Sequence, residues 1–231
     1  AEIEIAPPIT EALFTPYPAD TGAGLSLQGA AIDFSAKHHI RLTGEIVEGD
    51  AQRLRDAIAA LDLGDPDRFG TTILSMSSPG GNFSEALEIG DILTMRGIGT
   101  YVAEGDICLS ACAFAFLGGN RMVTRNVYWE PWRHMHEGST IGFHSPSLPG
   151  GVPRAVLDAV GEEVMFAEIA RPTLENVREL QERADRWFLP SDFLFEILGR
   201  IGIEQFLFLE NLEQTSLLRI IVVSAPRHVV P

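Results

Sequence analysis

The chain has 231 residues, 45% hydrophobic and 21% charged, proportions that suit a full buried core and exclude a disordered segment. Against 17 Lys and Arg stand 32 Asp and Glu, a formal charge of −15 with a pI near 4.7. Such an acidic chain repels phosphate backbones and anionic lipid surfaces, which excludes nucleic acid as a partner. The uncharged run Ile107–Asn120 is 14 residues long, short of the roughly 18 that cross a bilayer, so no membrane span is expected.

In chain order, residues 1–30 are rich in Pro, Ala, Gly and Thr without a period and read as an irregular N-terminal arm. Residues 31–231 read as a single domain. "HHIRLTGEI" alternates like a strand, and the run after it places Ala51, Leu54, Ala57, Ile58 and Leu61 at helical spacing, closing at Gly64. "TTILSM" is a short apolar strand. After "SSPGGN" a second helix is predicted from Phe83 to about Arg96, with Asn82 at its N-cap and Glu85 three residues on. "GTYVAEG" reads as a strand, "LSACAFAFLGG" as a short helix of small and aromatic residues, and "NRMVT" as a strand. Residues 126–139 read as a loop insertion. "TIGFHSPS" is a strand running into a turn. Helices are predicted over about 152–169, after Pro172 and after Pro190, with a last strand near Leu217–Val223.

Strand–helix alternation of this kind predicts an α/β fold with parallel strands and right-handed crossovers. Ligands in such sheets sit at the carboxyl ends of strands. Three segments fall there: Ser77–Asn82, Cys108–Ser110 and Gly142–Ser147.

In the first segment, Gly80 and Gly81 follow a proline. Glycines there admit backbone angles closed to other residues and let a substrate approach the peptide N–H groups. Such a loop suits an oxyanion hole; it also serves as a tight strand-to-helix turn. Ser110 stands where a strand gives way to a helix, which exposes its hydroxyl and offers the Ala111 amide as a second oxyanion donor. The alternative is a serine packed in a small-residue helix. A strand-end histidine, His144, could accept the serine proton or be tied to a turn carbonyl. Cys108 and Cys112 are the two cysteines. They lack the partner pair of a structural zinc site. They are either two buried thiols or, with Cys108 just outside the helix, a disulfide bracing the serine's turn. In "HMHEG", His134 and His136 are spaced to share one strand face and could hold zinc, or could be solvated. Lys37 is the one lysine. It precedes the first predicted strand of the domain, which speaks against a Ser–Lys dyad.

The order "SPGGN", "LSACA", "GFHSP" resembles the proteolytic subunit of the Clp protease and, more widely, the Clp-protease/crotonase superfamily. The likeness runs from about Ile40 to Gly202. It is closest to secreted or periplasmic bacterial members with a C-x-S-A-C serine motif, matched here by Cys108–Cys112, Gly118–Arg121 and Gly142–His144. The resemblance implies a spiral of βαβ units with a mostly parallel sheet. It implies a serine peptidase with Ser110 as nucleophile, His144 as general base, Gly81 and Ala111 as oxyanion donors, and Gly80 shaping the loop. For the third member, the family's acid precedes a Phe-Leu/Met pair. In "ERADRWFLPSD" that position is Arg186, so Asp185, one residue away, is taken, with Glu182 and Asp192 behind it and a Ser–His dyad without a third acid as the alternative. The likeness further implies a peptide or protein substrate, no cofactor or metal, a homo-oligomer, and a periplasmic or secreted address, which agrees with a disulfide. Two other readings stay open: a catalytically silent member that binds peptide or acts as a scaffold, and a crotonase-like acyl-CoA enzyme using the same loop.

Overall fold

The computed structural model describes residues 1–9, 13–14, 31–32, 36–61, 72–124, 128–144, 175–198, 206–209, 215 and 218–223. The alternation of "HHIRLT" becomes strand β4 (His38–Thr43), whose Ile40 and Leu42 are wholly buried while His39 and Arg41 face the other side. It pairs in parallel with β5 (Thr72–Ser77). Helix α1 (Asp50–Ala60) lies between them in the chain, and α2 (Phe83–Arg96) follows β5. The Asn82 side chain accepts from the Glu85 amide at 3.1 Å, capping α2 as its spacing predicts, and Gly97 closes it in the left-handed region. Leu54, Ile58, Leu87, Ile89 and Leu93 of these helices pack on Ile40, Leu42, Leu74 and Met76.

The central sheet has the order β1-β4-β5-β6-β10-β13, with β1 (Glu2–Ala6), β6 (Gly99–Val102), β10 (Arg133–His136) and β13 (Ile220–Val223). Each neighbouring pair is parallel except β1–β4. The protein is thus α/β with a mostly parallel central sheet. A smaller sheet orders β12 (Leu207–Phe208), β11 (Thr140–Phe143) and β7 (Ile107–Leu109), with β7 and β11 parallel. Ser78 joins the two sheets: its amide donates to the Ile107 carbonyl at 2.7 Å, and its carbonyl accepts from Leu109 at 3.0 Å. Short strands β2 (Leu13–Phe14) and β3 (Ala31–Ile32) pair with each other, as do β8 (Asn120–Thr124) and β9 (Tyr128–Pro131). Helices α3 (Ala111–Phe116), α4 (175–184) and α5 (Ser191–Leu198) complete the described elements.

Two expectations are corrected. The arm over 1–30 is not irregular at its start: "EIEIA" alternates with period two and adds β1 antiparallel to β4 until Pro7-Pro8 ends it. Residues 126–139 are not a loop insertion, because they hold β9 and β10. All four residues of "RHMH" are buried in β10, a strand with neighbours on both sides. Its charged composition hid it from a hydrophobicity reading. The two terminal nitrogens of the Arg133 guanidinium donate to main-chain carbonyls of Leu218, at 2.9 Å, and Trp187. α1 stops at Ala60 rather than Gly64, its Leu61 cap leading out of the described residues. The helix expected over 152–169 also lies outside them.

Candidate active site

Ser110 joins β7 to α3 with φ 55° and ψ −124°, a left-handed backbone that a non-glycine residue seldom adopts. What holds it there is visible in the neighbouring strand. The Ser110 amide donates to the Gly142 carbonyl at 2.9 Å, in step with the Leu109–Gly142 register of β7 and β11. His144 follows directly after β11. The hydroxyl and the imidazole therefore leave the carboxyl ends of two adjacent parallel strands, the position where α/β sheets hold ligands. His144 Nε2 lies 2.6 Å from Ser110 Oγ. When the hydroxyl donates to Nε2, the imidazole proton sits on Nδ1. The ring is largely buried and meets Phe206 edge-on, centroids 4.7 Å apart.

Packing beneath fixes this spacing. Phe83, Phe114, Phe143 and Phe193 form an edge-to-face series with centroids 5.1 to 5.5 Å apart. Phe143 precedes His144, and Phe114 lies one helical turn after Ser110. The series therefore ties the strand that ends at His144 to the helix that follows Ser110.

The glycine loop reaches the same place. A Cβ on Gly80, whose φ is 109°, would lie 2.7 Å from Ser110 Cβ and 3.2 Å from the Ala111 nitrogen. Only glycine lets the loop touch the Ser110 turn this closely. Ser78 Oγ accepts from the Gly80 amide at 3.1 Å, so that amide is already used and Gly80 shapes the loop. The next residues pair with Ile46 through the Gly80 carbonyl (2.7 Å) and the Asn82 amide (2.8 Å). Neither the Gly81 nor the Ala111 amide has a hydrogen-bond acceptor among the described residues. Ser78 was not singled out from the sequence; its signal was its position, two residues before a left-handed glycine.

Cys108 and Cys112 are bonded to each other, with Cα atoms 5.2 Å apart. Cys108 lies in β7 and Cys112 in α3, so the bond closes over Leu109, Ser110 and Ala111.

Asp185 stands apart. It is exposed in the turn after α4, where its carbonyl accepts from Phe188 at 3.3 Å, and its side chain makes no ion pair or hydrogen bond among the described residues. Glu182 is exposed and pairs with Arg178 at 3.0 Å; Asp192 is exposed in the first turn of α5. None of the three is seen to orient the imidazole.

The His134–His136 pair does not resemble a metal site. His134 is fully buried against the Trp132 ring, and burial, reinforced by the Arg121 charge, lowers its pKa to about 3. His136 Nδ1 accepts from the Gly138 amide at 3.1 Å. Among the described residues no three His, Cys, Asp or Glu side chains gather as a metal site would need. A second Ser–His contact, His39 Nε2 to Ser75 Oγ at 2.6 Å, differs from the first. Its Nδ1 donates to the Pro7 carbonyl at 2.9 Å and Ser75 is 1% exposed, so it pins the first strand's exit to the sheet.

No protein-family model and no curated protein matches the chain. Among solved structures, a mutant of the 1510-N membrane-bound stomatin-specific protease is similar. Its identity is 15% and its TM-score 0.45, with 79% of this chain and 76% of that chain covered. The class that fold and site define is an α/β protein carrying a hydrogen-bonded Ser–His pair beside a glycine loop at the carboxyl ends of parallel strands.

Proposed function

We propose that the chain is a serine hydrolase, and specifically a peptidase, working through an acyl-enzyme on Ser110. The single observation that carries the reading is the 2.6 Å contact between Ser110 Oγ and His144 Nε2. His144 takes the hydroxyl proton as Oγ attacks the scissile carbonyl. The resulting oxyanion is received by the Gly81 and Ala111 amides, with Gly80 and Ser78 holding the loop. His144 then returns the proton to the leaving amine, and water, activated by the same ring, releases the acyl group. Against the water reference, a positioned base contributes about 10²–10⁴ in rate. The edge-on contact with Phe206 helps to orient the ring. The substrate in this reading is a peptide or protein, the address is periplasmic or secreted as the disulfide favours, and the assembly is a homo-oligomer on the strength of the family likeness alone.

The experiment is labelling with a fluorophosphonate, read by mass, alongside hydrolysis of an activated ester. Ser110→Ala and His144→Ala keep the fold and abolish both; undiminished labelling in both variants overturns the assignment. The isolated position of Asp185 favours one second reading, a silent member that binds peptide without cutting it. That reading expects no labelling of the unaltered protein.

A further inference from the structure

We propose that the Cys108–Cys112 disulfide is a positioning element for the nucleophile rather than a brace for the fold, so that the site works only when the pair is oxidised. The inference rests on the serine-hydrolase reading above. The bonded residues are four apart, and the ring they close holds Leu109, Ser110 and Ala111. Two of the proposed working groups, the Ser110 hydroxyl and the Ala111 amide, therefore lie inside it. A ring this small removes little freedom from the unfolded chain, since that gain grows with the length of the loop closed. Its effect is local by construction.

The local need is plain. Ser110 holds a left-handed φ of 55° that costs free energy in a residue with a Cβ. α3 has only six residues, and the Ser110 side chain makes no capping bond to it. The helix start holds only the carbonyl side of the turn, where Ser110 accepts from the Ala113 amide at 3.0 Å and the Phe114 amide at 3.4 Å. The Gly142 carbonyl fixes the Ser110 amide from one side, and Gly80 abuts Ser110 Cβ from the other. The disulfide links the strand before the serine to the helix after it. Both sulfur-bearing residues are wholly buried. Two thiols need more room than one bonded pair, and a close-packed interior supplies it only by shifting the turn.

Reduction by a dithiol adds two electrons and two protons to the cystine, giving two Cys thiols while the reductant becomes a disulfide. Re-oxidation reverses this. Burial means the exchange proceeds through opening of the turn. A chain kept in a reducing compartment would thus carry an unassembled site.

The test uses the whole chain with three preparations: oxidised, reduced by a dithiol under mild denaturation and returned to buffer, and Cys108→Ala/Cys112→Ala. Fluorophosphonate labelling of Ser110, ester kcat and KM, and thermal midpoint are measured on each. Expected is a tenfold or greater loss of labelling rate and kcat in the reduced and variant proteins, with little change in KM. Circular dichroism stays native, and labelling recovers on re-oxidation of the reduced protein. Equal labelling in all three overturns the inference while leaving the hydrolase reading standing. Loss of the native signal on reduction overturns it too, because the bond would then hold the fold. Absence of labelling in the oxidised protein removes the hydrolase reading and this inference with it.

Discussion

At the scale of single residues the site depends on which polar atoms are already used. Ser78 is the clearest case. Its hydroxyl occupies the Gly80 amide, while the Gly81 amide has no acceptor among the described residues. Ser78→Ala strands a buried N–H, a loss of about 1 kcal/mol in stability. It also loosens the glycine loop. In the proposed hydrolase, removing an oxyanion donor outright would cost about 10²–10³ in kcat, and a loosened one costs less, roughly tenfold in the labelling rate. Chemical denaturation and labelling kinetics on the same variant check both halves. Asp185→Asn tests the opposite expectation. A residue without a side-chain partner among the described residues leaves the labelling rate unchanged within about threefold, far from the 10⁴ that an orienting acid supplies in a full triad. A loss of that size would place Asp185 beside the imidazole during turnover.

At the scale of elements, the distance between hydroxyl and imidazole is set by how α3 packs on β11. Phe143 is fully buried between Phe114 and Phe193. Phe143→Ala removes the middle of the series and costs about 3–5 kcal/mol in denaturation experiments, as large aromatic truncations do. Labelling slows even under conditions where the variant is folded. A second contact sets where α3 ends. A Cβ on Gly118 would lie 2.3 Å from the Gly90 Cα of α2. Main chain against main chain cannot yield as a flexible side chain can. Gly118→Ala therefore separates α2 from the end of α3 and lowers the thermal midpoint by several degrees.

At the scale of the whole molecule, the buried histidines make stability depend on pH. His134 is held neutral by burial first and by the Arg121 charge second, with its pKa lowered to about 3. Its unfolded value is about 6.5. Below that value the unfolded chain binds a proton that the folded chain refuses, so stability falls as pH drops. The loss from this one group approaches about 1.4 kcal/mol per pH unit between roughly 6 and 3, and ends below 3. His39, its pKa lowered chiefly by burial, acts in the same direction. Urea unfolding from pH 7 to pH 4 on the unaltered protein and on His134→Gln isolates the contribution, because the acidic residues titrate alike in both. The variant shows the shallower slope; equal slopes would mean that His134 is protonated in the folded state.

Much of the architecture was legible because it is local. The Asn82–Glu85 pair announces the start of α2, the alternation of β4 its two faces, and "SSPGGN" the close approach of main chain to main chain. Even the order of the three site segments is in the text. β10 was not legible, since "RHMH" has no apolar period and is buried only because strands lie on both sides and carbonyls of Leu218 and Trp187 take the Arg133 charge. The disulfide was open for a similar reason: spacing permits it, but only the break between β7 and α3 brings the cysteines within bonding reach. The third acid was not legible: nearness in sequence to Phe188-Leu189 picks out Asp185, which lies exposed in the turn after α4 with no side-chain partner among the described residues. The sequence by itself determined the α/β class, the helix caps and the chemical types at the strand ends, all properties of spacing along one chain. Only the tertiary structure decided that Ser110 and His144 meet at 2.6 Å and that Ser78 takes the Gly80 amide, because those contacts join segments whose separation is set by sheet register and core packing.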